Sequence, residues 1–459
     1  MLVIAHGIVG RSDLPIPEWL FGWAAAVVLV VSFVALAVLW PQPRLQDGGG
    51  FRPLPDAPSR VLTSRALEVL CGALGVAVLL LVVYSGLSGI QVATANFAPT
   101  FVLVAFWVGL VPLSVVFGDV YRAFNPWRAL GRLVAWIAKT AARGPLPAPL
   151  AYPERLGYVP AAVGLFAFTA LELVDPSTGS KPSNVAIATL IYSAVTFVAM
   201  ALYGVESWSR RGEAFSVYYN LFSRIGPWTR KGGRIGLRKP LSGLAELKPE
   251  TGIVLLLAVM VGTVTFDGAS EAPLWTGIVP HLNDLFQSLE LTPQNAPRVT
   301  FLIGLLACVG LIYGFYLLGI YGARSVGGGF SERQLSRTFV HTLVPIALAY
   351  VSAHYLTYLL YQGQAMKFLV SNPLGRDGTD IFGTANKAID YGVIGSTAAW
   401  YYQVAFVVVG HVAALILAHD RALVTYSKPR LAARSQYWML VIMIGFTTLA
   451  LWLLAQSNT

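Results

Sequence analysis

The sequence predicts an all-α bundle of about ten membrane-spanning helices, and three observations predict it. The chain is 56% hydrophobic and only 12% charged, whereas soluble domains carry roughly 25% charged residues. Apolar runs of roughly 20 residues, the length that crosses a bilayer as a helix, recur along it. These runs lack the alternating polarity of a membrane β-barrel, which leaves helices, whose backbone hydrogen bonds are satisfied internally in lipid.

The candidate spans lie near 19–40, 66–87, 97–117, 157–174, 183–204, 251–267, 297–322, 338–361, 398–419 and 435–455. Trp19, Trp23 and Trp40 bracket the first, as interfacial aromatic belts do. No basic segment precedes that run and it is long enough to span, so it reads as a retained helix rather than a cleaved leader. The loops between spans alternate in charge. Segments 41–65, 118–156, 205–250, 323–337 and 420–434 hold 26 of the 32 Lys and Arg residues. The positive-inside rule places them in the cytoplasm, with both termini outside. The net charge of +10 is then a signature of topology and of anionic lipid headgroups, with no nucleic-acid partner implied.

Residues 1–459 form a single integral membrane domain on this reading. The basic loop at about 205–250 divides it into two five-helix halves of opposite orientation, a pattern met in inverted-repeat transporters. Interfacial amphipathic helices are expected near Glu213–Arg224 and Arg128–Ala142. Asp119 and Arg122 are spaced to pair on one helical turn. The aromatic and basic residues of Phe124-Asn125-Pro126-Trp127 and of 215–228 read as interfacial anchors. The sixth span ends Gly262-Thr-Val-Thr-Phe-Asp267-Gly268 and is the candidate for a broken helix. Gly310 and Gly314 in the seventh are expected to let helices pack closely. Cys71 and Cys308 fall inside spans without a CxxC pattern, so they read as small buried apolar residues, and no phosphate-binding glycine loop occurs.

Polar side chains in hydrocarbon need a partner or a wet cavity, which makes them the candidates for function. Four of the six histidines lie in two neighbouring spans: His341 and His354 in the eighth, His411 and His419 in the ninth. At about 1.5 Å of rise per residue, His341 and His419 share the cytoplasmic level, His411 lies at mid-depth and His354 in the outer third. His341 and His354 are about 220° apart around their helix, which disfavours two stacked haems and leaves one haem at the inner level open. The plainer alternative is histidines hydrogen-bonded between helices. His6 and His281 also fall on the outer side, with an excess of carboxylates. Among these, Glu172 and Asp267 stand at the outer ends of spans four and six, where burial favours the protonated carboxyl. His6, His281 and His354 could hold Zn²⁺ or a similar divalent metal, and metal-bound water is a nucleophile near neutral pH. His354 and Asp267 are the candidate catalytic residues. No HExxH or HxH spacing is present, so such a site has to be assembled from distant segments.

Four segments resemble one family. Ala5-His6-Gly7 and the run that follows it, Phe124-Asn125-Pro126-Trp127, and the stretches His341–Tyr355 and Gly410–Arg421 are similar to bacterial, often actinobacterial, polytopic membrane proteins known as fenitrothion hydrolases. The likeness extends over most of the chain. It implies hydrolysis of an organophosphate ester at the bacterial plasma membrane and carries over no catalytic residue. Three function classes follow. The first is a membrane hydrolase, metal-assisted or not, acting on a small-molecule substrate near the outer face. The second is a secondary transporter of a small solute or metal ion. The third is a membrane subunit of a larger complex.

Overall fold

A computed structural model describes residues 18–46, 50–142, 148–426 and 428–456 of the chain. Its apolar runs are helices: α1 (Glu18–Leu39), α2 (Arg65–Ser88), α3 (Phe97–Phe117), α4 (Pro126–Ala141), α5 (Val159–Leu173), α6 (Pro182–Tyr203), α7 (Ala214–Ser223), α8 (Ile253–Ser270), α9 (Pro273–Ser288), α10 (Asn295–Ser325), α11 (Leu343–His354), α12 (Leu356–Gln362), α13 (Ser396–Thr425) and α14 (Tyr437–Gln456). The protein is a multi-pass membrane helix bundle. Eight described helices are long and apolar enough to cross a bilayer, and nine if the bent pair at Glu332–His354 and Leu356–Leu369 is one span. The expectation of ten is corrected at 157–174. There α5 has 15 residues, about 22 Å of helix and short of a full crossing.

Helix α8 is the axis of the bundle. Inside the bundle, 78% of its apolar window is buried, against 17–39% for the other spans. It packs on α5, α10 and α11, while α11 packs on α13 and α1 on α14. Nothing breaks α8. Thr263 and Thr265, which lent it a broken-helix look, donate to Val259 and Val261 carbonyls at 2.8 Å within the same helix. The broken span is the next one. It bends by 49° at Tyr355, between α11 and α12, where neither Pro nor Gly occurs. The Ala353 carbonyl at the break accepts from Gln403 of α13 at 2.9 Å, which satisfies a group the helix leaves open.

The glycine contacts also differ from expectation. A Cβ on Gly310 or Gly314 would meet nothing within 4 Å, so both face outward. The close approach is made by Gly262, where a Cβ would lie 2.7 Å from Val309 Cα of α10. Only glycine lets those two backbones touch.

The basic loop between the halves is not a solvated surface segment. Its helix α7 enters the bundle, with Tyr219 and Phe222 fully buried and Leu221 at 1% exposure. It packs on the C-terminal end of α3, on α5 and on α11. The reason is compositional: Ala-Phe-Ser-Val-Tyr-Tyr-Asn-Leu-Phe-Ser carries no charge, although arginines flank it. The rest of the loop forms β2 (Trp228–Lys231) and β3 (Arg234–Leu237), an antiparallel pair extended by β1 (Arg52–Pro53) on the free side of β3. Helix α4 does lie as an exposed amphipathic helix, with Leu133, Val134, Trp136 and Ile137 exposed. Its Arg128 and Arg132 meet Glu68 and Glu206 at 2.5–3.1 Å.

Two further readings are corrected. Asn125-Pro126-Trp127 is an internal clamp rather than an interfacial anchor, while Phe124 stays exposed. Asn125 caps α4, Pro126 starts it, and buried Trp127 donates to Ser193 at 2.7 Å. Asp119 caps the short helix after it through the Arg122 amide, while the Arg122 guanidinium reaches Glu206 at 3.6 Å.

Beyond α5, Asp175 accepts from Arg298 at 2.7 Å and 3.0 Å. Burial pushes its carboxyl up, but hydrogen bonds from Thr178, Ser177 and Arg298 outweigh this and bring it down to about 2. A carboxyl held below its unfolded value of about 3.9 adds stability above that pH and loses it as the pH falls towards about 2. Arg298 is 47% exposed, so solvent screening limits the gain to about 1 kcal/mol or less. Thermal unfolding in detergent is expected to weaken by that amount over this acid window, and less so in Arg298→Ala.

Candidate functional site

The break in the span formed by α11 and α12 places two consecutive side chains on one carboxylate. Asp267 Oδ2, from the last turns of α8, lies 2.9 Å from His354 Nε2 and accepts from the Tyr355 hydroxyl at 2.7 Å. All three are buried: Asp267 and His354 are 6% exposed and Tyr355 3%. An ionised carboxylate only accepts, so Nε2 carries the proton towards Asp267 when the latter is charged. The rings of His354 and Tyr355 meet edge to face at 4.7 Å.

The site continues away from Asp267 in two directions. On one side the His354 ring borders a cavity of about 30 Å³, lined also by Thr265 and Gly268 of α8, Tyr350 of α11, Val407 of α13 and Leu453 of α14. This space takes one or two water molecules. The Nδ1 and Cε1 edge of His354 lies 3.7 Å from where a Cβ on Gly268 would stand, so the glycine keeps that edge open. The imidazole thus has a carboxylate on one nitrogen and a cavity near the other.

A second group of buried polar side chains gathers around Tyr355. Glu172, at the end of α5, and Asp267 both act electrostatically on the Tyr355 and Tyr358 phenols. Glu172 is 4% exposed. Its neighbour Leu173 packs against Phe266, the neighbour of Asp267. From below, α7 brings up Tyr218, which acts on Tyr355 and faces the Trp107 indole of α3. Trp107 stands 6.2 Å from Tyr355, ring to ring. It belongs to a π-helical segment, Phe101–Gly109, inside α3. Such wide turns are rare and cluster at functional sites. Tyr219 of α7 fastens this one by donating to the Phe106 carbonyl at 2.6 Å.

The other candidates are dispersed. His419 bonds between helices, to the Trp40 carbonyl at 3.1 Å and to Gln436 at 3.3 Å. Beside it Asp420 accepts from the Trp40 indole, the Arg44 and Leu45 amides and the Gln46 amide group, which pins the end of α1 to α13. His411 points Nδ1 at the Val407 carbonyl, 2.7 Å away, and His341 is buried near Arg421. His281 is exposed on α9, and His6 lies outside the described residues. Among the described residues no three His, Cys, Asp or Glu side chains come together as a metal site. His281 and His354 therefore do not form one with their described neighbours.

Tyr355, Tyr218 and Trp107 were not legible as site residues. Tyr355 had one signal, its position directly after an intramembrane histidine. Comparison with protein-family models, with curated proteins and with solved structures finds no match to this chain.

Proposed function

We propose that this chain is a proton-coupled secondary transporter of the bacterial plasma membrane, with both termini outside and with Asp267, His354 and Tyr355 as its proton-exchange site. The observation that carries this reading is a buried carboxylate, imidazole and phenol in mutual contact at the break of a transmembrane helix. Intramembrane ionisable groups of this kind mark proton relays, and discontinuous helices mark transport sites. His354 joins the carboxylate to a water-sized cavity, so a proton can pass between Asp267 and that cavity through the two ring nitrogens.

The test is a panel of small organic and metal-ion solutes added to proteoliposomes that contain a lumenal pH dye. At least one solute is expected to drive a pH change, and His354→Gln is expected to abolish it. Flux that survives in His354→Gln, or no solute-driven pH change at all, would refute the reading.

One observation favours hydrolysis as a second reading, in keeping with the resemblance to the fenitrothion hydrolases. Asp267 on Nε2 and a cavity near Nδ1 is the arrangement of a general base that activates water. The attacking water would bond to phosphorus as the aryloxy group leaves. The cavity, at about 30 Å³, is the size of one or two waters and too small for an aryl phosphate ester, which places this reading second. Release of the phenol from an aryl phosphate triester by the wild type, and not by His354→Gln, would reverse that order.

A further inference from the structure

We propose that the small β-sheet, together with the short helix Asp56–Leu62 in front of α2, is a binding surface for the headgroups of anionic phospholipids. It stands apart from the Asp267 site and does not depend on the proton-exchange reading. The sheet joins two basic stretches that are far apart in the chain. β1 pairs with β3, where Arg52 stands opposite Leu237, and β3 pairs with β2. The Leu54 amide donates to the Ile235 carbonyl at 2.9 Å, and the Ile235 amide to the Ser59 hydroxyl at 3.2 Å, which fastens the short helix to β3. Arg52, Arg60, Arg65, Arg230, Lys231 and Arg234 are gathered in this way, and all are exposed. Asp56 is the one acid in 51–65, and 224–245 contains none. It is taken by Arg234. Among the described residues the other five cations form no ion pair.

The basic residues at the start of α4 are arranged differently. Arg122, Arg128 and Arg132 meet two carboxylates of this chain, Glu68 and Glu206. On the sheet no such partner is supplied, and Lys231 stands directly opposite Arg234. Like charges across a ladder are destabilising, and an anion beside them relieves the repulsion. Gly232 and Gly233 close the hairpin next to this pair. A Cβ on either would meet nothing within 4 Å, so the approach is open.

Position identifies the anion as a bilayer headgroup. Arg65 opens α2, and the exposed apolar residues of that span begin one turn later with Val69 and Leu70, 63% and 57% exposed. Only about 6 Å of helix rise separates Arg65 from Val69. Val61 and Leu62 of the short helix, between Arg60 and Arg65, are exposed as well. The cations therefore border side chains that face hydrocarbon, at the level where phospholipids carry their phosphates. Clusters of about four to eight Lys and Arg immediately beside a transmembrane helix recognise anionic lipids in this way.

The experiment is electron spin resonance of the full-length protein in phosphatidylcholine vesicles that contain a trace of spin-labelled phosphatidylglycerol or spin-labelled phosphatidylcholine. The wild type is expected to immobilise phosphatidylglycerol in preference to phosphatidylcholine, and the preference should fall as salt is raised. The triple variant Arg52→Gln, Arg230→Gln, Lys231→Gln should lose most of it, with thermal unfolding unchanged because none of the three side chains holds an ion pair. Arg60→Gln with Arg65→Gln, on the helix half of the surface, should lower it too, which keeps the surface testable if the sheet variant folds poorly. Arg333→Gln, Lys428→Gln, Arg430→Gln removes three exposed cations elsewhere and should keep the preference. No preference in the wild type, an undiminished preference in both surface variants, or an equal loss in the control variant would overturn the proposal. Displacement of the labelled lipid by inorganic phosphate at constant ionic strength would also overturn it, in favour of a site for free phosphate.

Discussion

Asp267→Asn is expected to lower proton-coupled turnover on the order of 100-fold or more, the scale on which a positioned acid–base group contributes, while the bundle stays folded. Asparagine keeps the volume, and its carbonyl can still accept from Tyr355, but it holds no charge to stabilise a protonated His354. Asp267→Ala should behave differently. It strands the His354 ring and the Tyr355 hydroxyl, which meet Asp267 at 2.9 Å and 2.7 Å in a buried setting. Loss of a buried charged partner costs about 3–5 kcal/mol, so alanine should impair both turnover and thermal stability. Solute-driven flux and thermal unfolding measured on both variants separate the two roles. Turnover in Asp267→Asn within about 10-fold of wild type, below the roughly 100-fold floor of the acid–base range, would show that this carboxylate does not carry the proton.

The membrane bundle was legible because hydrocarbon is an unforgiving solvent: a run of apolar residues long enough to cross it has few alternatives to a helix. The shape of each helix was less so. Gly262, Thr263, Thr265 and Gly268 suggested a break in α8, yet the threonine hydroxyls turn inward on their own helix and Gly262 serves a contact with α10. The real break carries no Pro or Gly. It occurs where His354 and Tyr355 both reach one carboxylate some 87 positions earlier in the chain, and no local pattern encodes such a partner. Likewise Gly310 and Gly314 have the spacing of a packing motif and face outward, because spacing fixes which residues share a face and not which face is covered. The burial of α7 had a readable cue in its uncharged, aromatic sequence, masked by the arginines that flank it.

Glu213→Ala is expected to destabilise the protein by about 1–3 kcal/mol or more, the cost of leaving buried hydrogen-bond donors without their acceptor. Glu213 has no solvent exposure and stands at the start of α7. Its Oε1 accepts from the Tyr192 hydroxyl at 2.5 Å and the Phe215 amide at 3.1 Å. Its Oε2 accepts from Asn125 Nδ2 at 2.9 Å, from the Ser216 amide at 2.9 Å and from the Ser216 hydroxyl. One carboxylate therefore ties α4, α6 and α7 together and holds Tyr218 and Tyr219 beneath the Asp267 site. Asparagine 125 is the cap of α4 and a donor to Glu213, so Asn125→Ala and Glu213→Ala act on one network and their costs should not add. The double variant should be only slightly less stable than Glu213→Ala alone. Because α7 carries Tyr219 to the Phe106 carbonyl, loosening it should also release the π-helical segment that holds Trp107 beside Tyr355. Hydrogen exchange over 101–109 is expected to rise in Glu213→Ala and to stay at the wild-type level in Arg298→Ala, which disturbs only the contact with Asp175 beyond α5. A loss of stability below about 1 kcal/mol, the scale of a single exposed ion pair, would show that α7 is held by its apolar packing and not by this carboxylate.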